Sequence, residues 1–375
     1  MDDLLKLCAT NLTERASQGI LQHAFERDQD VEHIMTALAS PLKGRIVVTG
    51  GARVGKTAVI HEVAYRLHTE NCPESLKGSL LWGLSARSIL RAFGIRDWQE
   101  KLGLLLQLWI KRPDVILYVD ALPSTLMAGA TAEDPFDMAQ VLLGQLQSSD
   151  NRILAEGRTS AVAGFLDAYP EYKHILLEER VPEPKVEQSK RIISQFADAI
   201  LASQQVQVDE LAIHTAIDLT RRFSLNESLP GKAIDLIEET VALHAEQIGH
   251  DSRVQAGEVI DRFGDKTGLP RMLLTDDEPY NEQIVRTYFS ERVLGQDQAV
   301  EVIVQALSLL RTRLNNPKRP MGVFLFIGPT GVGKTELARA LSRYLFASDE
   351  LIVRFNMADY TQDWHTSIPV SYTHL

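Results

Sequence analysis

Two stretches of the chain have the residue types and spacing of a loop that binds phosphate. Both fit the pattern G-x-x-x-x-G-K-[ST]. The first stretch consists of Gly50, Gly51, Ala52, Arg53, Val54, Gly55, Lys56 and Thr57. The second consists of Gly328, Pro329, Thr330, Gly331, Val332, Gly333, Lys334 and Thr335.

The spacing in these loops follows from the chemistry of holding a nucleotide. Glycines let the backbone curl so that its N–H groups point at phosphate oxygens, and the following helix aims its positive end at the same anion. Lys56 and Lys334 would neutralise the β- and γ-phosphates, while Thr57 and Thr335 would place a hydroxyl on Mg²⁺. Each loop follows an apolar run and precedes an amphipathic helix, so a chance match is negligible. The loops alone do not distinguish ATP from GTP.

A carboxylate at the end of a second apolar run has the position expected of a magnesium ligand. Residues 114–120 (DVILYVD) read as a buried strand that ends at Asp120. A P-loop protein needs a carboxylate there to hold the water shell of Mg²⁺. The alternative interpretation is that Asp120 only ends the strand.

Around these residues the chain alternates apolar strands with helices, which predicts an α/β fold with a parallel sheet covered on both faces. Strands are predicted at 44–51, 114–120, 152–155 and 173–177. Residues 185–256 have only helical patterning, as in an appended all-helical domain. The predicted division is a nucleotide-binding domain at 1–182, a helical lid at 183–263, a linker at 264–281 and the first part of a second nucleotide-binding domain at 282–375.

Composition restricts the class of protein. The chain has 375 residues and a net charge of −11, which argues against a general nucleic-acid binder. Its only cysteines, Cys8 and Cys72, make no disulfide framework and favour a reducing cytosol. No apolar run approaches the roughly 18 residues of a membrane helix, and the acidic N-terminus is not a signal peptide. The predicted location is cytoplasmic, without membrane contact.

Several segments together resemble the Clp family of AAA+ ATPases, the ClpA/ClpB-type unfoldases. Residues 25–67 resemble the family's first ATPase module, and LPGKAIDLIEET (229–240) resembles its helical lid. The start of the second module is matched by VLGQDQAVEVIVQAL (293–307), GVFLFIGPTGVGKTELARALSRYLF (322–346) and NMADY (356–360). The resemblance implies a P-loop AAA+ fold, ATP and Mg²⁺ as cofactors, and a homo-hexamer that acts on unfolded or tagged polypeptides. A peptidase is a further partner that it allows.

The first module departs from this family where hydrolysis is concerned. The family has Asp-Glu where this chain has Asp120-Ala121, and a pair of arginines where this chain has EYKHILLEE (171–179). The missing groups would orient the attacking water and reach a neighbour's γ-phosphate. We therefore expect the first site to bind ATP with little hydrolysis and the second site of the full-length protein to hydrolyse it. Arg158 and Thr159 lie near the family's γ-phosphate sensor; an ordinary loop threonine is the alternative.

Two further residues carry weaker predictions from the resemblance. Lys232, in the lid motif, would face the nucleotide, or else is a solvated lysine at a helix start. Phe93, beside Gly94, would be the aromatic residue of a substrate-gripping pore loop, or else packs in the core.

The family pattern ends after Tyr360. About 14 residues beyond it have no counterpart, and the last of them, PVSYTHL, resemble translated adaptor sequence. We expect residues 322–375 to be poorly stable alone, because a partial sheet exposes apolar faces and unpaired edges. The leading interpretation is a subunit of an ATP-driven protein unfoldase. The alternative is an assembly or regulatory scaffold that nucleotide binding gates, with little ATPase work.

Overall fold

A computed structural model of the chain describes residues 1–40, 44–130, 136–147, 149–269, 271–275, 281–311, 320, 322–346 and 352–355. The chain divides into two compact units, 1–259 and 260–375. The predicted segment NMADY (356–360) and the tail after it lie outside the described residues.

The first unit is built on a six-stranded sheet with the order β1-β3-β4-β5-β2-β6. Its strands are β1 (Ala9–Asn11), β2 (Arg45–Gly50), β3 (Leu80–Leu84), β4 (Val115–Val119), β5 (Ile153–Arg158) and β6 (Leu177–Arg180). Strand β1 runs antiparallel to β3, and every other neighbouring pair is parallel. The predicted α/β fold with a largely parallel sheet is therefore confirmed.

Helices cover both faces of this sheet. They are α1 (Asp2–Cys8), α2 (Leu12–Ser17), α3 (Asp28–Ala39), α4 (Lys56–His68), α5 (Ala86–Trp109), α6 (Leu122–Leu126), α7 (Met138–Leu146), α8 (Thr159–Ala168) and α9 (Tyr172–Ile175). Side chains along each strand point alternately to the two faces of the sheet, so the core has two parts, one on each face. On β5, Ile153 and Ala155 pack with α5 and α7, whereas Leu154 packs on the opposite face with α3 and α4.

Two details of the sheet differ from the sequence prediction. The prediction of a strand at 173–177 is wrong in its bounds, because Tyr172–Ile175 is helical and the strand is Leu177–Arg180. That strand lies at the edge of the sheet and is only partly buried, so it lacks the continuous apolar run that is typical of a buried strand. Strands β1 and β3 were not predicted. Strand β1 has three residues, too few for a periodic pattern, and strand β3 has five.

A helical region follows the sheet. Its helices are α10 (Val186–Gln204), α11 (Glu210–Phe223), α12 (Gly231–Gln247) and α13 (Ala256–Thr267). Here too the sequence prediction was incomplete, because β7 (Val206–Val208) and β8 (Ser252–Val254) form a small parallel pair between the helices. Each has three residues, and three residues carry no recognisable alternation.

The second unit contains α14 (Arg271–Leu274), α15 (Glu282–Arg292), α16 (Asp297–Arg311) and α17 (Lys334–Phe346). The predicted strand before the second P-loop is not formed, because no other described segment is paired with residues 322–329. Its side chains nevertheless alternate. Phe324 and Phe326 pack on the helices, whereas Val323, Leu325 and Ile327 are 85%, 83% and 83% exposed. Within the described residues, no helix has the length and apolarity required to cross a membrane.

Candidate nucleotide-binding site

The first P-loop joins the end of β2 to the start of α4. Its backbone turns sharply, with positive φ at Arg53 (65°) and Gly55 (101°). Gly50 is required by a close approach, because a Cβ there would lie 2.7 Å from the carbonyl oxygen of Val181. The first turn of α4 has N–H groups that no helical carbonyl can reach, and these face the loop. The predicted residues of this motif therefore lie together in one turn at the start of α4.

Both P-loop lysines fold back over their own loops in the same way. Lys56 Nζ donates to the carbonyl oxygens of Gly50 (3.4 Å) and Gly51 (2.8 Å). Lys334 Nζ donates to those of Gly328 (2.8 Å) and Pro329 (2.6 Å). The acceptors lie six and five residues before the lysine in each case, although the two loops are in different units. Each ammonium is thus held by two carbonyl oxygens of its own loop.

A cleft of about 320 Å³ opens beside the first P-loop. Residues 22–25 and Arg27 form one wall, and residues 53–58 form the floor. Helices α10 and α12 close it with Ile192, Phe196 and Ile234. Asp235 and Glu238 of α12 also line the cleft, and its volume is at the lower end of the range for small-molecule sites.

A buried arginine supports the loop from the N-terminal side. Arg27 is 5% exposed, and its Nη2 donates to the carbonyl oxygen of Val54 at 2.9 Å. Its Nη1 bonds Asp30 at 3.1 Å, so the charge has a partner. No motif in the sequence points to Arg27, because the hydrogen bond that it makes joins residues 27 positions apart.

The helical region holds the other side of the same loop. The N–H of Ser228 donates to the carbonyl oxygen of Ala52 at 2.8 Å, and the N–H of Gly231 donates to that of Arg53 at 3.1 Å. The side chain of Arg53 forms an ion pair with Asp235 on α12. The P-loop and the helical region are therefore joined by backbone as well as by charge.

The predicted magnesium ligands of the first module lie at the carboxyl end of the sheet. Asp120 follows β4, and its side chain is exposed. Thr57 Oγ1 is held by a different carboxylate, Glu156 on β5, at 2.8 and 3.1 Å from its two oxygens. Across the described residues, no group of three or more His, Cys, Asp or Glu is placed to hold a metal alone.

Burial changes the ionisation of two groups near this end of the sheet. Burial lowers the pKa of Lys56, an effect that the negative charge of Glu156 opposes and the positive charge of Arg158 reinforces. Burial raises the pKa of Glu156, while hydrogen bonds from Thr57 and Tyr118 act in the opposite direction and the charge of Asp120 raises it further. The sequence contained a signal for Glu156, namely a single carboxylate directly after an apolar run.

Two predicted residues do not lie at the cleft. Lys232 is 7% exposed, and its Nζ donates to the carbonyl oxygen of Ser224 at 2.9 Å, so the solvated alternative is wrong and the side chain does not line the cleft. Phe93 is 4% exposed and packs in the core against α5 neighbours, so the pore-loop prediction is wrong and the core alternative holds. The helix is kinked at the neighbouring residue, Gly94, where φ is 78°.

The remaining predicted positions are near the loop or at the surface. Arg158 ends β5 close enough to Lys56 to lower its pKa, and Thr159 begins α8. Ala121 has φ 45° and is exposed, so it presents only a methyl group beside Asp120. In the second unit, Thr335 begins α17 beside Lys334 and is exposed.

Two family models match parts of the chain. The model described as AAA lid domain matches residues 185–264, and the model described as AAA domain (Cdc48 subfamily) matches residues 319–371. The first covers α10 to α13. The second contains the second P-loop and extends beyond Tyr360.

Curated proteins and solved structures give the same relationship. The chaperone protein ClpB of Oceanobacillus iheyensis is 28% identical over 96% of this chain and 52% of its own length. The ATP-binding subunit ClpE of the Bacillus subtilis Clp protease is 28% identical over 96% of this chain and 58% of its own. The chain therefore spans about half the length of the curated relatives it matches.

Among solved structures, the Saccharomyces cerevisiae Hsp104:casein complex in its extended conformation has a TM-score of 0.74 at 24% identity, covering 97% of this chain and 62% of that one. The Hsp104-ADP complex has a TM-score of 0.73 at 24% identity, with 96% and 62% coverage. At this identity the likeness concerns the fold. The curated relatives show that the chain is similar over 96% of its length to Clp-type AAA+ ATPases.

Proposed function

We propose that this chain is the ATP-binding part of a Clp-type protein unfoldase or remodelling chaperone. The observation that carries the proposal is the matching geometry of the two P-loops, in which Lys56 and Lys334 lie over carbonyl oxygens at the same offsets. Two such loops in one chain suit a tandem motor subunit. The relatives named as chaperones and protease subunits support the same function.

Within this function, the first site binds ATP with Mg²⁺ and turns it over slowly. Its magnesium groups are Thr57 and Asp120, but the residue after Asp120 is Ala121, whose side chain cannot orient water. Correct placement of a general base contributes about 10²- to 10⁴-fold to a rate. Hydrolysis is assigned to the second module of the full-length protein, where Thr335 and Lys334 hold the nucleotide. The bound metal supplies charge neutralisation at the phosphates.

The partners follow from the same class of motor. Other copies of the chain would complete a ring, for which a hexamer is proposed from the family resemblance. The substrate would be an unfolded or tagged polypeptide; the Hsp104 structure is described as a complex with casein. A peptidase partner is proposed because the relative ClpE is named as an ATP-binding subunit of the Clp protease.

The test measures binding and turnover in the protein and in two variants. Lys56→Ala should abolish binding of a fluorescent ATP analogue at one of two sites and leave most turnover. Lys334→Ala should abolish turnover and leave one binding site. If the protein has no ATP affinity in the presence of Mg²⁺, or if the double variant binds as the parent does, the proposal is wrong.

The second candidate is a nucleotide-gated scaffold. It is favoured by the contacts of Ser228, Gly231 and Asp235 with the first P-loop, which connect nucleotide occupancy to the position of the helical region. A motor increases its ATPase rate when unfolded casein is added. A scaffold instead changes its oligomeric state with ATP while its low turnover is unaffected by casein. Sedimentation and ATPase assays on the same preparation distinguish the two.

A further inference from the structure

A buried carboxylate lies beside the first P-loop without an obvious structural reason. Glu156 is 6% exposed and occupies β5 after Ile153, Leu154 and Ala155. Alternation places it on the sheet face that α4 covers, the face that also carries Leu154 and Tyr118. A carboxylate in such a place is costly unless hydrogen bonds and a cation compensate for its burial.

The hydrogen bonds are present, and the positive charge of Lys56 also acts on Glu156, but among the described residues the two form no ion pair. Thr57 Oγ1 donates to both carboxylate oxygens, and the phenol of Tyr118 donates to Oε1 at 2.8 Å. Both donors are neutral. In the part of the chain that the structure describes, no Lys, Arg or His forms an ion pair with Glu156. The nearby ammonium of Lys56 donates to carbonyl oxygens of its own loop instead.

The register of the sheet brings this carboxylate level with the predicted magnesium ligand. Val119 on β4 pairs with Ala155 on β5, so the next residues along, Asp120 and Glu156, are lateral neighbours at the carboxyl ends of two parallel strands. The charge of Asp120 acts on Glu156, which places the two carboxyl groups within electrostatic range.

The contact with Thr57 has a specific consequence for a cation. A threonine hydroxyl has one proton and two acceptor lone pairs. Because the proton is directed to Glu156, the lone pairs of Thr57 remain available on the other side of its oxygen. That orientation is the one that a metal-binding hydroxyl requires.

We propose that Glu156 is a positioning residue of the first magnesium site. It orients the hydroxyl of Thr57 toward the cation and, with Asp120, provides a second negative charge that balances it. The inference rests on the proposed nucleotide binding of the first module.

The test separates binding of the metal from binding of the nucleotide. Each variant is made in a Lys334→Ala chain, so that only the first loop binds. The Kd of ATP is measured by calorimetry with Mg²⁺ and with EDTA, and Mn²⁺ binding is followed by electron paramagnetic resonance. Glu156→Gln keeps the shape and removes the charge. It should weaken binding with Mg²⁺ by about tenfold to a hundredfold, the usual effect of losing a group that orients a metal ligand. Binding in EDTA should not weaken.

Glu178→Gln is a matched control. Glu178 on β6 accepts a hydrogen bond of 2.7 Å from Thr49 Oγ1, so it makes the same kind of threonine–carboxylate contact one strand from the P-loop strand. This variant should leave both Kd values unchanged. Glu156→Asp, which retains the charge, should keep more of the Mg²⁺ dependence than Glu156→Gln, and a thermal midpoint for each variant verifies folding.

The outcomes are distinct. If Glu156→Gln weakens binding equally with Mg²⁺ and with EDTA, or if Glu156→Asp and Glu156→Gln lose Mg²⁺ dependence equally, Glu156 is only structural and the inference is wrong. If the Lys334→Ala parent binds no ATP under either condition, both the inference and the proposed function of the first site are overturned.

Discussion

Nη2 of Arg27 lies 2.9 Å from the carbonyl oxygen of Val54, so a buried guanidinium holds the first P-loop in place from outside its own segment. Arg27→Gln would remove the bond and leave Asp30 without its buried partner. The free energy of unfolding should fall by about 1–3 kcal/mol, the cost of a buried polar group left unsatisfied. ATP affinity should fall as well. Denaturant unfolding and calorimetry measure the two effects.

The control for that change is Arg191→Gln. Arg191 forms its ion pair with Glu26 at 2.8 Å while 58% exposed, so solvent screens the interaction. If Arg27→Gln and Arg191→Gln lowered the free energy of unfolding equally, the burial of Arg27 would not be the cause of the loss.

The contact between Gly231 and the P-loop predicts a steric effect. A Cβ at Gly231 would lie 2.4 Å from the carbonyl oxygen of Arg53, and neither backbone can yield easily. Gly231→Ala should therefore separate the helical region from the P-loop, lower the thermal midpoint and weaken ATP binding. Gly164→Ala in α8, where a Cβ meets nothing within 4 Å, should be neutral or stabilise by up to about 1 kcal/mol. A neutral Gly231→Ala would contradict the contact.

The burial of Phe93 predicts a role in stability and none in gripping substrate. Phe93→Ala should reduce the free energy of unfolding by about 3–5 kcal/mol, because it leaves a cavity in the core between β3, α5 and α7. Ile95→Ala, at a side chain that is 66% exposed, should change it by less than about 0.5 kcal/mol. Loss of polypeptide binding by Phe93→Ala at unchanged stability would restore the pore-loop interpretation.

The two cysteines should differ in reactivity. Burial raises the pKa of Cys8 to about 11, whereas the same thiol in an unfolded chain ionises near about 8.5. The preference of the folded chain for the neutral thiol therefore stabilises the fold. This stabilisation is fully present below about pH 8.5 and is lost as the pH rises toward 11. At pH 7.5 a thiol reagent should modify Cys72 first and Cys8 only on unfolding. Cys72→Ser should remove the early phase, and an early phase that persists in it would contradict the burial of Cys8.

The sequence was most informative where chemistry is local. The P-loop residues are contiguous, and the spacing of their glycines and lysine determines the turn, so the turn at the start of α4 could be predicted from the sequence. The strand that ends at Asp120 could be predicted because β4 is buried on both faces and has no polar residue from Val115 to Val119.

The sequence was least informative where side chains meet across the sheet. The positions of Glu156 and Thr57 differ by 99 residues, and their contact depends on β5 lying beside β2. Neither hydrophobic period nor motif spacing gives the order of strands. The contact of Arg27 with Val54 could not be predicted for the same reason, because it joins two separate segments. The helix that contains Lys232 could be predicted, but its partner, the carbonyl oxygen of Ser224, lies at the end of the preceding helix.

The hydrogen bonds from Ser228 and Gly231 end on the carbonyl groups of Ala52 and Arg53. A trans peptide unit is planar, with its C=O and N–H on opposite sides. The units that the helical region holds by their oxygens therefore direct the N–H groups of Arg53 and Val54 the other way. Because each peptide unit is rigid, rotating it moves its N–H and its C=O together. An anion that binds the N–H of Arg53 or Val54 would therefore also strain the hydrogen bonds that the carbonyl oxygens of Ala52 and Arg53 accept from the helical region.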